Sequence, residues 1–248
     1  MTTNPENIAL ILVEPQGGHN IGSICRVMMN FGFQELRLVN PRVDHLGKEA
    51  RDMAVTAKET VLRAARKFNS LEEALADCHL VIGSTRRLGK YRHECIRPEQ
   101  LAETCGSLSP QHKAALVFGR EDHGLTTDEL SMCHTFVTID TSPLLPSLNL
   151  AQAVAICLYE FSRHSPQSSP SRFEPATVKN TEQMIRHMGT TLLAAGYLDP
   201  KNPDHILRTY RRIFSRAGLS ERDVRVLQGL WSLMDRQLLM IDASDPDK

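Results

Sequence analysis

The sequence has no Cys-x-x-Cys pair, no apolar run near the roughly 18–20 residues of a membrane span, and no excess of either charge. Each absence excludes a class. The six cysteines (Cys25, Cys78, Cys95, Cys105, Cys133 and Cys157) are scattered singly, which removes a zinc ribbon or redox dithiol. They suit buried free thiols in a reducing, cytoplasmic compartment. With 29 basic and 29 acidic residues, the chain as a whole is not an electrostatic nucleic-acid binder, although a local basic patch remains allowed. The N-terminal stretch lacks the charged-then-apolar architecture of a leader. No Gly-x-Gly-x-x-Gly follows the first apolar run, so a dinucleotide-binding Rossmann site is not expected. Gly17 and Gly22 stand five apart, but Ser23 occupies the place of the lysine a phosphate-binding loop requires.

What is present reads as an α/β chain. A length of 248 residues with 41% apolar content suits one large domain, or one domain with an appendage. Strands are predicted at 8–14, 35–40, 79–85, 114–119 and 135–140. Their near-continuous apolar character predicts a parallel sheet with helices on both faces. Asn20 is predicted to cap a helix ended by Gly32; Ser70 and Thr126 mark further helix starts, and another helix runs from about Asn149 to Arg163. A Pro/Ser-rich stretch at 165–171 marks a boundary. Beyond it the pattern is helical only, with helices beginning near Thr177, Pro203 and Ser220. The expected division is 1–163 catalytic, 164–176 linker, and 177–248 a small all-helical extension.

Three polar motifs punctuate this pattern, each beside a predicted strand. They are Asn20-Ile-Gly-Ser-Ile-Cys-Arg26, Phe118-Gly-Arg-Glu-Asp-His-Gly-Leu125 and Pro146-Ser-Leu-Asn-Leu-Ala151. Taken singly, each has a structural explanation: a cap and a surface arginine, a solvated strand-to-helix loop, and a second cap at Ser147 or Asn149. Helical spacing nevertheless sets Asn20 and Arg26 near one edge of the sheet, where open parallel sheets bind ligands. Gly83-Ser84-Thr85-Arg86-Arg87 ends a predicted strand at the same edge. In the helix after Pro203, Arg208, Arg212 and Arg216 share a face, either solvated or suited to RNA phosphates.

In order and spacing the three motifs resemble those of the SPOUT superfamily, specifically its TrmH/TrmJ group of RNA 2′-O-methyltransferases. The resemblance runs from about Ile8 to Arg163, with a looser likeness of the helical extension to the TrmJ type. It implies a parallel α/β fold with a C-terminal trefoil knot, a homodimer whose site is completed across the interface, and S-adenosylmethionine as cofactor, with no metal. Carried over, the cofactor residues are Ser84, Thr85, Arg86, Gly119, Ile139, Pro146, Ser147 and Leu148. The catalytic set is Arg26 with Asn20, Glu121, Ser147 and Asn149, and Arg87 would help hold RNA. The implied reaction is methylation of a ribose 2′-hydroxyl of tRNA, at the anticodon-loop pyrimidine of position 32. Another tRNA position, an rRNA target and a non-catalytic RNA-binding member of the fold are the alternatives. Arginine is a poor general base. Arg26 therefore fits better as a stabiliser of the developing oxyanion than as the proton acceptor.

Overall fold

The computed structural model describes residues 5–86, 95–106, 108–109, 111–163 and 174–244. Arg87 and the Pro/Ser-rich stretch lie outside them. Six consecutive apolar residues, Ile8–Val13, form strand β1, buried along its whole length. Ile8, Leu10 and Leu12 pack into one core, while Ile11 and Val13 pack into another on the opposite face. That alternation is the two-residue period of a strand with both faces covered. β2 (Glu35–Val39), β4 (Leu80–Ser84) and β6 (Ala114–Phe118) follow the same logic. β7 (Thr135–Val137) is shorter than expected, because the chain leaves the sheet after Val137 to build the 138–149 loop.

Two strands and several helices were not foreseen. β3 (Arg66–Phe68) and β5 (Cys95–Ile96) are the two outer strands, too short to carry an apolar pattern. All the strands are parallel, in the order β3-β2-β1-β6-β4-β7-β5. β1 thus lies between β2 and β6, and the chain crosses over between those neighbours. Helices α1 (Gly18–Asn30), α2 (Lys48–Ala54), α4 (Leu101–Gly106) and α6 (Leu150–Arg163) cover one face. α3 (Leu71–Leu75) covers the other. A single π-turn, Lys58–Leu62, precedes β3.

After residue 173 the chain is helical, as its pattern predicts: α7 (Val178–Ala194), α8 (Asp204–Ala217) and α9 (Glu221–Ser244). Met184, Met188, Leu207 and Val224 form their shared core. This unit docks on the sheet domain through α7 and α8, the pairing of Arg186 with Glu72 of α3 among the contacts. Val178 N donates to Cys78 O at 2.9 Å, and Arg208 of α8 pairs with Asp128 at 3.1 Å in α5 (Thr127–Ser131).

Candidate active site

The carboxyl edge of the sheet gathers all three motifs. β6 ends at Phe118 and the buried Gly119 follows. A Cβ at Gly119 would lie 2.1 Å from the carbonyl carbon of Gly124, so only glycine permits this turn. Gly124 N donates to Arg120 O at 2.9 Å, closing a tight loop that presents Glu121, Asp122 and His123. Thr126 and Glu129 then form a reciprocal capping box for α5.

Arg120 anchors this loop. Its guanidinium donates to both Glu129 oxygens at 3.0 Å and reaches Glu14 Oε1 at 2.9 Å. Glu14, just past the end of β1, has φ +47°, a left-handed conformation that side chains rarely adopt. It also accepts from Arg42 Nε at 2.8 Å. Arg120 foremost, then Arg42, holds the Glu14 carboxyl below the usual carboxylate range. Strained backbone of this kind persists where surrounding contacts over-determine it, commonly beside functional sites.

Asn20 does not cap α1. The helix starts at Gly18, so Asn20 sits in its first turn and its amide is used elsewhere. Asn20 Nδ2 donates to Glu121 Oε1 at 2.9 Å, and Asn149 Nδ2 donates to Asn20 Oδ1 at 2.9 Å. Asn149 Oδ1 in turn accepts from Ala151 N at 2.8 Å and Gln152 N at 3.3 Å, capping α6. The Glu121 carboxylate also accepts from Gln16 N at 3.0 Å and Gly17 N at 3.1 Å. One chain of side chains therefore joins the three motifs, the first of which lies more than a hundred residues from the other two in sequence. Ser147 is exposed beside this chain.

A cavity of about 1030 Å³ opens next to it. Ser84, Thr85, Arg86, Gly119, Ile139, Pro146, Ser147 and Leu148 all line it, as does Glu121. Its apolar side comes from residues such as Leu125, Leu130, Val137 and Ile139, and its mouth carries Arg42, Arg86, Asp122 and Thr126. Thr141 Oγ1 donates to Pro146 O at 3.0 Å, holding the 141–146 loop against the opening. Burial pushes the Cys157 thiol up to about 12, so this lining residue is a neutral apolar surface rather than a nucleophile. A volume of this size and mixed lining suits a nucleoside-sized ligand. Among the described residues, no group of three or more His, Cys, Asp or Glu side chains could hold a metal ion.

Arg26 is exposed on α1 and does not line the cavity of its own chain. One turn further along α1, Met29 is 45% exposed. Arg208 and Arg212 are half-buried on α8, and Arg216 is exposed. Sequence reasoning missed Glu14, Arg42 and Arg120 as site-forming residues. Their signal was a charged residue one to three positions after the end of a buried strand.

Residues 7–159 match the SpoU rRNA Methylase family, and residues 179–243 match the C-terminal domain of the tRNA methyltransferase TrmJ. The fold and the site thus define a SpoU-type methylase, and the chain belongs to that family, with the TrmJ type of C-terminal extension. It is 35% identical over 240 residues to the tRNA (cytidine/uridine/adenosine-2′-O-)-methyltransferase TrmJ of Pseudomonas aeruginosa, covering 91% of this chain and 92% of that protein. It is 34% identical to the tRNA (cytidine/uridine-2′-O-)-methyltransferase TrmJ of Klebsiella pneumoniae, covering 94% of this chain and 98% of that one. The crystal structure of TrmJ from Z. mobilis ZM4 superposes with a TM-score of 0.82 at 36% identity, covering 92% of this chain and 98% of that chain.

Proposed function

We propose that the protein transfers a methyl group from S-adenosylmethionine to a ribose 2′-hydroxyl of tRNA, with the pyrimidine at position 32 as target. The observation that carries this reading is the Glu121–Asn20–Asn149 chain at the mouth of the cavity. The family and the relatives' named activities supply the reaction class. The cavity fits the cofactor by volume and chemistry: Ser84, Thr85 and the backbone near Pro146 to Leu148 would meet its polar groups, and Ile139 and Leu125 its adenine face. When bound, the cofactor supplies a sulfonium-activated methyl group.

The chain's own residues position the acceptor. Arg86, which lines the cavity and is exposed, provides a cation for RNA phosphates. Glu121 fixes the α1 entry and the α6 start relative to each other, so the reacting groups meet in one geometry. Arg26 of one protomer would serve the cavity of a partner, where its guanidinium stabilises the developing oxyanion while water or an RNA phosphate oxygen takes the proton. The exposed apolar residue Met29, one turn from Arg26 on α1, and the exposed Tyr159 on α6, Leu144 and Leu145 leave apolar surface that a second copy could cover. With its catalytic sheet domain and helical extension, the protein is assigned as a cytoplasmic homodimer with the trefoil-knotted path of its superfamily.

Transfer of label from S-adenosylmethionine to an unmodified tRNA transcript, followed by nuclease mapping, tests the reading. A 2′-O-methylated pyrimidine at position 32 is expected. Label at another nucleotide overturns the target, and label in rRNA alone overturns the tRNA reading. Cofactor binding without transfer to either RNA, or no binding at all, overturns the reaction.

A further inference from the structure

The C-terminal extension was expected to present Arg208, Arg212 and Arg216 of α8 to RNA; Arg216 is exposed there, but the other arginines of that helix have partners within the protein. Arg208 pairs with Asp128 at 3.1 Å and Arg211 with Glu182 at 3.0 Å, while Arg212 also has a partner. α9 is built the other way. Three of its acids are consumed within the unit: Glu221 by Thr177 N and Asn180, Asp223 by Ser220, and Asp235 by His187 and Thr191. Its arginines are not. Among the described residues Arg222, Arg225 and Arg236 form no ion pair, and Arg225 and Arg236 only donate back to carbonyls of their own helix, Glu221 O and Ser232 O.

These arginines fall on one line. Arg222, Arg225, Gly229, Ser232 and Arg236 recur at helical spacing along an exposed face opposite the buried Val224. The line carries three positive charges and no negative one, over about 21 Å of helix at 1.5 Å per residue. Gly229 sits in its middle. A Cβ built there meets nothing within 4 Å, and its φ is not in the left-handed region. Neither packing nor backbone geometry calls for glycine in this exposed helix interior, where alanine favours the helix. What glycine does permit is close approach of another backbone to the helix surface.

The geometry points to this line as the docking surface for the sugar–phosphate backbone of the substrate RNA, away from the methylated nucleotide. The surface rests on the tRNA reading above and adds the residues that hold the RNA body. Charge selects the occupant: guanidiniums without an ion-pair partner at both ends of the line, Arg222 and Arg225 one turn apart and Arg236 about three turns further on, match phosphates, and the small residues between them let the strand lie close. The apolar stripe alongside, with Val226, Leu230 and Leu233 all exposed, makes a second copy of this chain the competing occupant.

The test is affinity of the full-length protein for an unmodified tRNA transcript across a series of salt concentrations. Replacement of Arg222, Arg225 and Arg236 together by Gln is expected to weaken binding at least tenfold. It should also lower the slope of log affinity against log salt by about 2–3, near one for each phosphate no longer neutralised. Gly229→Gln is expected to weaken tRNA binding several-fold while thermal stability stays level or rises, an opposition that a structural role alone does not produce. Wild-type affinity and slope in the triple variant, with wild-type protein still methylating tRNA, overturn the surface and leave the function standing. A wild-type protein that binds no tRNA overturns the function itself. Unchanged RNA binding with a reduced oligomer mass in Leu230→Gln assigns the face to a second copy and likewise overturns the proposal.

Discussion

The two ends of the same sheet each hold an arginine between two carboxylates, yet they do different work. At the amino edge, Arg37 is 1% exposed and donates to Glu35 at 2.8 Å and Asp77 at 2.9 Å, with Lys113 completing the network. At the carboxyl edge, Arg120 bridges Glu14 and Glu129 but is part of a loop that lines the cavity. The first cluster ties β2 to the turn after α3. The second trades that closure for a strained Glu14, a tight glycine turn and an exposed rim. Ion pairs near either edge of a parallel sheet look alike in sequence; what separates stability from function here is whether the network closes on itself or borders a cavity.

Breaking each end tests that contrast. Arg26→Ala is expected to reduce methyl transfer by about 10²–10³-fold, the usual cost of losing an oxyanion stabiliser, with unfolding and cofactor affinity near wild type. Single-turnover kinetics check it, and retention of a tenth of the rate would falsify a role in the chemistry. Arg37→Met is expected to do the reverse. It leaves Glu35 and Asp77 to Lys113 alone on their shared side and should cost roughly 1–2 kcal/mol in denaturant unfolding, less than a fully buried pair because Asp77 is half exposed, while the folded fraction keeps its cofactor affinity. Normal stability in that variant would collapse the distinction between the edges. Asn20→Ala cuts the chain joining the motifs, and about a tenfold loss of rate with a smaller loss of stability is expected from steady-state kinetics and melting.

A pH titration sharpens the amino-edge side. His134 Nδ1 accepts from Val81 N at 3.0 Å, and burial lowers the ring's pKa from 6.5 to about 4. The folded state therefore favours the neutral ring. Its contribution is complete above pH 6.5 and is lost progressively as pH falls toward about 4. The expected slope is up to roughly 1.4 kcal/mol per pH unit in that window. Glu35, held down by Lys113 and Arg37 against the opposing effect of burial, adds a loss only at lower pH. A stability profile flat between pH 6.5 and 4, or one unaltered in His134→Gln, would refute the assignment to this residue.

Legibility followed the same contrast. β1, β4 and β6 were readable because burial on both faces writes a near-continuous apolar run, and β2 because Leu36, Leu38 and Val39 stand out around the buried Arg37. β3 reads Arg66-Lys67-Phe68 and β5 only Cys95-Ile96, so neither edge strand leaves a pattern. The residues of the cavity follow from motif order, and the structure brings them to one place. The use of Asn20 was not legible. An amide near a helix start can cap it or reach across the fold, and its acceptor, Glu121, is 101 residues away. The fate of the α8 arginines was hidden for the same reason, since the acid that engages Arg208 stands 80 residues earlier. Local sequence reports which charges exist; only tertiary structure reports which are already spent.

The chain from Glu121 through Asn20 to Asn149 also has a sense of direction. A carboxylate can only accept, so Asn20 must turn its nitrogen toward Glu121 and its oxygen toward Asn149. Asn149 must then give its nitrogen to Asn20, which leaves its oxygen for the first amides of α6. One formal charge thus dictates the orientation of two amide groups and one helix terminus in series. The wiring tolerates no single reversal: Asn20→Asp would face an acceptor with an acceptor at Glu121, and Glu121→Lys would face a donor with a donor. Three positions that look independent along the chain can therefore change polarity only as a set.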